Sequence, residues 1–118
     1  MKQTYSGGYQ CGRVRYEASL DLGKVMACNC SRCGRLGRLL AFAPPEDFKL
    51  VSGEDSLTKF NFNKNIIDHL FCATCGVQSF SRGRRPGDGA LMYAVNARCL
   101  DDVNVDALNV KQFDGKNL

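Results

Sequence analysis

Three cysteines within six residues, Cys28-x-Cys30-x-x-Cys33, are the residues of this chain whose type and spacing most plainly suit chemistry. A packed core has no use for that density of sulfur. A soft cation does, because three thiolates on one tight turn converge on it at little cost in loop closure. Three protein ligands also leave one of zinc's four tetrahedral positions open. That is the arrangement by which zinc takes an external thiol or polarises a carbonyl, where a fourth protein ligand would only hold a fold. Arg32, Arg35 and Arg38 follow closely. Their charge lowers neighbouring thiol pKa values or meets an anionic substrate. Cys28, Cys30 and Cys33 are therefore expected both to ligate a metal and to carry any catalysis.

A second, shorter group is Cys72-Ala73-Thr74-Cys75-Gly76, a zinc-knuckle spacing with a glycine that lets the backbone turn behind it. The first strand is the natural donor of further ligands. Tyr9-Gln10-Cys11-Gly12 has the layout of a Cys-x-Cys-Gly pair with its first position altered, so Cys11 supplies a third thiolate. The fourth ligand is open among Tyr9, Cys99, His69 and water, and Tyr9 is disfavoured because a phenol pKa near 10 must first be lowered. One or two Zn²⁺ ions are expected, the Cys11, Cys72 and Cys75 site being incomplete where Tyr9 stands for a cysteine. The blander alternatives are a packed tyrosine over two buried cysteines, or a single Cys₄ ribbon with a spare thiol and no open site. His69, the one histidine, suits packing or a hydrogen bond to sulfur, and Cys99 suits a small buried hydrophobe. Arg82-x-Arg84-Arg85 is either a solvated loop or a clamp for carboxylates.

Those thiols have to be held by the rest of a 118-residue chain, a length that suits one domain over residues 1–118. Seven cysteines, an odd number closely spaced, argue against a disulfide framework and for metal binding in a reducing compartment. No apolar run approaches the roughly 20 residues that span a bilayer, and the first residues lack a signal-peptide apolar region. A cytoplasmic protein without membrane contact is expected. The formal charge of +4 is too mild for a committed nucleic-acid binder, so no nucleic-acid partner is expected.

The positioning elements read as mainly β. Alternation from Tyr9 to Ala18 turns Val14 and Tyr16 inward and the arginines outward, after a polar lead-in over Tyr5–Gly8. Asp21–Lys24 is a turn, and Val25–Cys28 is a strand that delivers the thiol cluster to its end. Ser31–Gly37 suits a short helical turn capped by Ser31 and limited by its glycines. Strands are expected at 38–43 (stopped by Pro44-Pro45), 48–51, 57–62, 66–71, 77–80 and 90–97. A single helical turn opens at Pro45, a hairpin turn falls at Asn63–Asn65 and a basic loop over Arg82–Gly89. The tail from Leu100 stays unassigned.

The run Gly7-Gly8-Tyr9-Gln10-Cys11-Gly12-Arg13-Val14-Arg15-Tyr16 resembles the opening of the glutathione-dependent formaldehyde-activating enzyme family, also called the centromere protein V-like family. The likeness continues through Cys28–Cys33, Phe71–Gly76, Val95–Asp101 and a closing Phe113-Asp114-Gly115. The resemblance implies coiled antiparallel sheets of the Mss4-like fold and two zinc ions. One is a structural site at the first and third blocks, the other the three-thiolate site of the middle block. It further implies a carbon–sulfur lyase or synthase acting on a thiol adduct such as S-(hydroxymethyl)glutathione, with glutathione as the small-thiol partner. The alternative is a zinc-stabilised module that binds a thiol or a protein without turnover. Two positions depart from the pattern: Tyr9 replaces the usual first structural cysteine, and Asn29 stands where many members carry histidine.

Overall fold

The computed structural model describes residues 2–61, 67–84 and 88–115. Among these described residues ten strands run in chain order as β1 (Gln3–Gly8), β2 (Arg15–Leu20), β3 (Val25–Cys28), β4 (Leu40–Ala43), β5 (Phe48–Ser52), β6 (Leu57–Phe60), β7 (Ile67–Cys72), β8 (Gln78–Arg84), β9 (Leu91–Asn96) and β10 (Val110–Phe113). One short helix, α1 (Ser31–Leu36), follows β3, and single 3₁₀ turns occur at Pro45–Asp47, Glu54–Ser56, Ala97–Cys99 and Val105–Ala107. The mainly β expectation holds. The strands form a three-stranded sheet in the order β1-β2-β5 and a seven-stranded sheet in the order β10-β3-β4-β9-β8-β7-β6. Pairing is antiparallel throughout except at one edge, where β10 lies parallel to β3.

Alternation explains the small sheet. Tyr16, Ala18 and Leu20 of β2 are buried while Glu17 faces out, so one face turns to the core. The core fills the space between the sheets with rings. Tyr16 and Phe48 of the small sheet stack at 5.2 Å, and Phe48 stacks on Tyr93 at 4.2 Å. Phe80 of β8 sits at 5.5 Å from Tyr16 and 4.7 Å from Phe48. Offset and edge-on rings of this kind add to the burial of their apolar area. The Tyr16 hydroxyl, which could not be buried alone, shares a hydrogen bond with the Ser79 hydroxyl.

Several expected boundaries change. The strand expected from Tyr9 begins at Arg15. Tyr9–Gly12 is instead a turn closed by Gly12 N–H on the Tyr9 carbonyl at 2.9 Å, with Gly12 at φ 80°, a backbone a side chain resists. The supposed lead-in is β1, fully paired with β2 over Gln3–Gly8. The basic segment from Arg82 is strand as far as Arg84. Its residues 85–87, and the hairpin turn at Asn63–Asn65, lie outside the described residues. The unassigned tail supplies β10. Among the described residues no helix is long and apolar enough to cross a membrane.

Candidate functional site

Strand β3 ends on Cys28, and α1 begins two residues after Asn29, so the first thiol cluster occupies the strand-to-helix junction. The cap of α1 is Cys30, where Ser31 was expected. The Cys30 sulfur accepts the Cys33 backbone N–H at 3.3 Å, using the thiol as a serine hydroxyl is used elsewhere. The helix stops after six residues because Gly37 takes a left-handed backbone and its N–H closes on the Cys33 carbonyl. One turn of helix therefore folds the three sulfurs of Cys28, Cys30 and Cys33 to within 4.8 Å of one another.

The surroundings of this cluster suit a cation. Burial pushes the Cys33 thiol up to about 11, and the Arg38 guanidinium only partly offsets that. Burial would raise Cys30 as well. Hydrogen bonds to its sulfur from the Cys33 and Arg32 backbone, with its thiol neighbours, bring it below its ordinary value. Arg38 is the informative residue. It is 3 % exposed, donates from one terminal nitrogen to the Cys33 sulfur at 2.9 Å and from the other to the Ser81 hydroxyl at 3.3 Å, and its Nε has no hydrogen-bond partner among the described residues. A buried guanidinium needs an anion. Three thiolates around a divalent cation carry one net negative charge, which is what Arg38 lacks. The donor set and its counter-charge fit a thiophilic divalent metal such as zinc.

The C-terminal segment closes this centre. Strand β10 runs parallel to β3 with Phe113 opposite Cys28. The Asn29 N–H donates to the Phe113 carbonyl at 3.2 Å, and the Asn29 amide donates to the Asp114 carboxylate at 2.9 Å. Gly115 packs against Cys28: a Cβ there would stand 2.5 Å from the Cys28 sulfur. The Phe113-Asp114-Gly115 run thus buttresses the thiol loop, and Asn29 is the residue it grips.

The three arginines part company. Arg38 turns inward to Cys33. Arg32 is held by the Gln78 amide oxygen, 3.0 Å from Nε, and lies 4.7 Å over the Phe60 ring. Arg35 is exposed on α1 and donates to the Ser31 carbonyl at 2.9 Å. Ser31, Arg32, Arg35, Leu36 and Phe60 line an open cavity of about 410 Å³; Ser31 and Arg32 are chain neighbours of Cys30 and Cys33, and none of the three cysteines lines it. Behind it, Gln78 Nε2 donates to His69 Nδ1 at 3.1 Å, which fixes the ring proton on Nε2. His69 is buried, and desolvation with the nearby Arg38 and Arg32 charges lowers its pKa to about 4. It belongs to this network and makes no ligand for the second cluster. The Phe60 wall, the Gln78–His69 pair and the inward turn of Arg38 were missed from sequence. The one signal available was a basic residue leading an otherwise apolar strand.

The second cluster joins the two sheets. Cys11 sits in the β1–β2 turn, while Cys72 ends β7 and Cys75 lies in the turn to β8. Their sulfurs lie within 4.8 Å of one another, with Cys11 and Cys72 3.5 Å apart. Backbone N–H groups of Cys75 and then Thr74 lower the Cys72 thiol to about 7 against the pull of burial. The Tyr9 hydroxyl is engaged elsewhere. Burial drives its phenol well above the ordinary range, and its hydroxyl donates to the Leu70 carbonyl at 2.7 Å. Cys99 is half-buried at the end of its 3₁₀ turn and stays outside the group of three. The supposed arginine clamp is otherwise engaged, Arg82 with Asp68 at 3.1 Å and Arg84 with the Gly89 carbonyl; Arg85 lies outside the described residues.

The chain is similar to known proteins over nearly its whole length. A crystal structure of a Rhodobacter sphaeroides protein superposes with a TM-score of 0.81 at 32% sequence identity, covering 92% of this chain and 99% of that one. The family model described as glutathione-dependent formaldehyde-activating enzyme matches residues 4–113, a family of the Mss4-like fold. With two three-cysteine clusters in the two-sheet fold and a match over almost every residue, the chain belongs to the glutathione-dependent formaldehyde-activating enzyme family.

Proposed function

We propose that this protein is a zinc-dependent carbon–sulfur lyase or synthase acting on a thiol adduct of the S-(hydroxymethyl)glutathione kind, with Cys28, Cys30 and Cys33 holding the zinc. The observation that carries this reading is the convergence of three sulfurs within 4.8 Å at a strand-to-helix junction whose Ser31, Arg32 and Arg35 line an open cavity. When bound there, zinc supplies a Lewis acid with one exchangeable position, able to take a substrate sulfur or oxygen. Arg38 donates to the Cys33 sulfur and would balance the charge of the three thiolates once a metal is bound. Arg35, with its charge directed to solvent at the cavity rim, meets the carboxylates of a glutathione-like thiol. Arg32 is pinned by Gln78 and the Phe60 face, so it sets the wall and the local field. Phe60 and Leu36 offer the apolar side on which the methylene groups of the thiol lie.

In the synthetic direction the thiol sulfur forms a bond to the carbonyl carbon of formaldehyde, and the thiol proton ends on the carbonyl oxygen. No electrons are exchanged with an outside partner. His69 is neutral and buried behind Gln78, so the proton passes through solvent at the open cavity. Unbridged thiols in every described cysteine accord with a reducing, cytoplasmic setting. The test is exchange-resolved NMR of glutathione with formaldehyde, with and without the zinc protein. A rate above the uncatalysed one, lost in Cys28→Ser and Cys33→Ser together with one zinc per chain, supports the reading. Glutathione binding with no added rate would move the protein to the class of thiol-binding modules.

A further inference from the structure

Beside the second cluster, the residue placed to give a fourth ligand is committed elsewhere. Tyr9 is 4 % exposed, its hydroxyl donates to the Leu70 carbonyl at 2.7 Å, and its ring meets Phe80 edge-on at 6.1 Å. Bringing that oxygen to the sulfurs would strand a buried carbonyl and open the core at Phe80. His69 is turned to Gln78. Cys99 lies outside the three sulfurs that approach within 4.8 Å.

The remaining side of the cluster is open. Cys11 is exposed, and a Cβ added at Gly12 or Gly76, the glycines that follow Cys11 and Cys75, would meet nothing within 4 Å. A cavity of about 310 Å³ is lined by Tyr9, Gln10 and Val77, residues near the cluster in the chain, and by Cys99, Arg15 and Arg98; none of the three cluster cysteines lines it. A divalent metal on three thiolates seeks a fourth donor, and a soft metal prefers sulfur.

We propose that the centre of Cys11, Cys72 and Cys75 is an open three-thiolate metal site whose fourth position is taken by an exchangeable small external thiol. In binding, the thiol loses its proton to solvent and its sulfur replaces water; no redox step is involved. The centre is separate from the one assigned the reaction, and the experiment removes that first centre, so the two readings stand or fall apart.

The test uses the full chain carrying Cys28→Ser and Cys33→Ser, loaded with Co²⁺ and titrated with cysteine as the external thiol. One cobalt per chain is expected, and saturation with cysteine should raise the thiolate-to-cobalt charge-transfer intensity by about one third, as three sulfur ligands become four. Adding Tyr9→Phe should leave the spectrum and the cobalt affinity within about twofold. If the double variant does not fold, the difference between wild-type and Cys11→Ser spectra gives the same readout. A spectrum that ignores cysteine, a spectrum altered by Tyr9→Phe, or no cobalt taken up by this cluster would each overturn the proposal.

Discussion

Arg38 couples charge to coordination at the scale of one residue. Its guanidinium is buried against the Cys33 sulfur and the Ser81 hydroxyl. Removing a group that orients and charges a metal ligand typically costs 10- to 100-fold in metal affinity. Arg38→Met should therefore weaken metal binding at the first centre by about that factor in a chelator competition and leave the second centre unchanged. Arg38→Lys should recover part of the loss, since it restores the charge without the fork. Equal affinity in wild type and Arg38→Met would remove Arg38 from the metal site. His69 makes a second residue-scale prediction. Its pKa in the fold is lowered to about 4, below the 6.5 of an unstructured histidine. As pH falls through 6.5 the unfolded chain binds a proton that the folded chain refuses, so stability falls with pH over the window from 6.5 towards 4. At pH 5.5 the cost is about 1.4 kcal/mol relative to pH 7.5. His69→Gln should flatten the urea-unfolding profile by that amount over the same interval, and an unchanged slope would mean that His69 can hold its proton in place.

Elements explain what sequence could and could not deliver. The thiol-bearing junction was legible because a strand, a three-cysteine spacing and two glycines lie within a dozen residues, and local spacing dictates local geometry. The second cluster was legible for the same reason in Cys72-x-x-Cys75, and Cys11 was reached through the altered Cys-x-Cys layout. Strands β1 and β10 were not legible. Gln3–Ser6 and Lys111–Phe113 are mostly exposed, so these edge strands bury too little to show an apolar alternation. β10 also pairs in parallel with a strand 85 positions earlier, and nothing in its own residues encodes that partner. The direction of Arg38 was hidden likewise, because it precedes the paired part of β4 and no register sets its face. The buttress of β10 on the thiol loop leads to a prediction at this scale. A chain ending at residue 109 should keep the second centre but release metal from the first at least tenfold faster to a chelator. Gly115→Ala should move in the same direction, since its Cβ would fall 2.5 Å from the Cys28 sulfur. Release rates that match wild type in both variants would leave β10 as a simple edge strand.

Across the whole molecule the two centres do different mechanical work, although both present three thiols. A metal at the first would tie Cys28 to Cys33 within a single strand-to-helix junction, closing a loop that the chain closes readily by itself. A metal at the second would tie Cys11, in the turn of the small sheet, to Cys72 and Cys75 of the large sheet, and so staple the two layers around the aromatic core of Tyr16, Phe48 and Phe80. Closure entropy grows as the logarithm of loop length. A link over about 60 residues therefore restricts the unfolded chain by about 2 kcal/mol more than one over about 6. A metal at the proposed catalytic centre should accordingly contribute less to stability than one at the second centre. Zinc-loaded Cys11→Ser, which loses the second ion, should melt about 8 °C lower than zinc-loaded Cys28→Ser, which loses the first, each measured at one bound zinc per chain by calorimetry. An open fourth position at the second centre is compatible with this, because the staple needs only its three thiolates, and the external thiol spans nothing. If Cys28→Ser melted at or below Cys11→Ser, the junction of β3 and α1 would be the part of the fold that metal organises, and the two sheets would be held together by their rings alone.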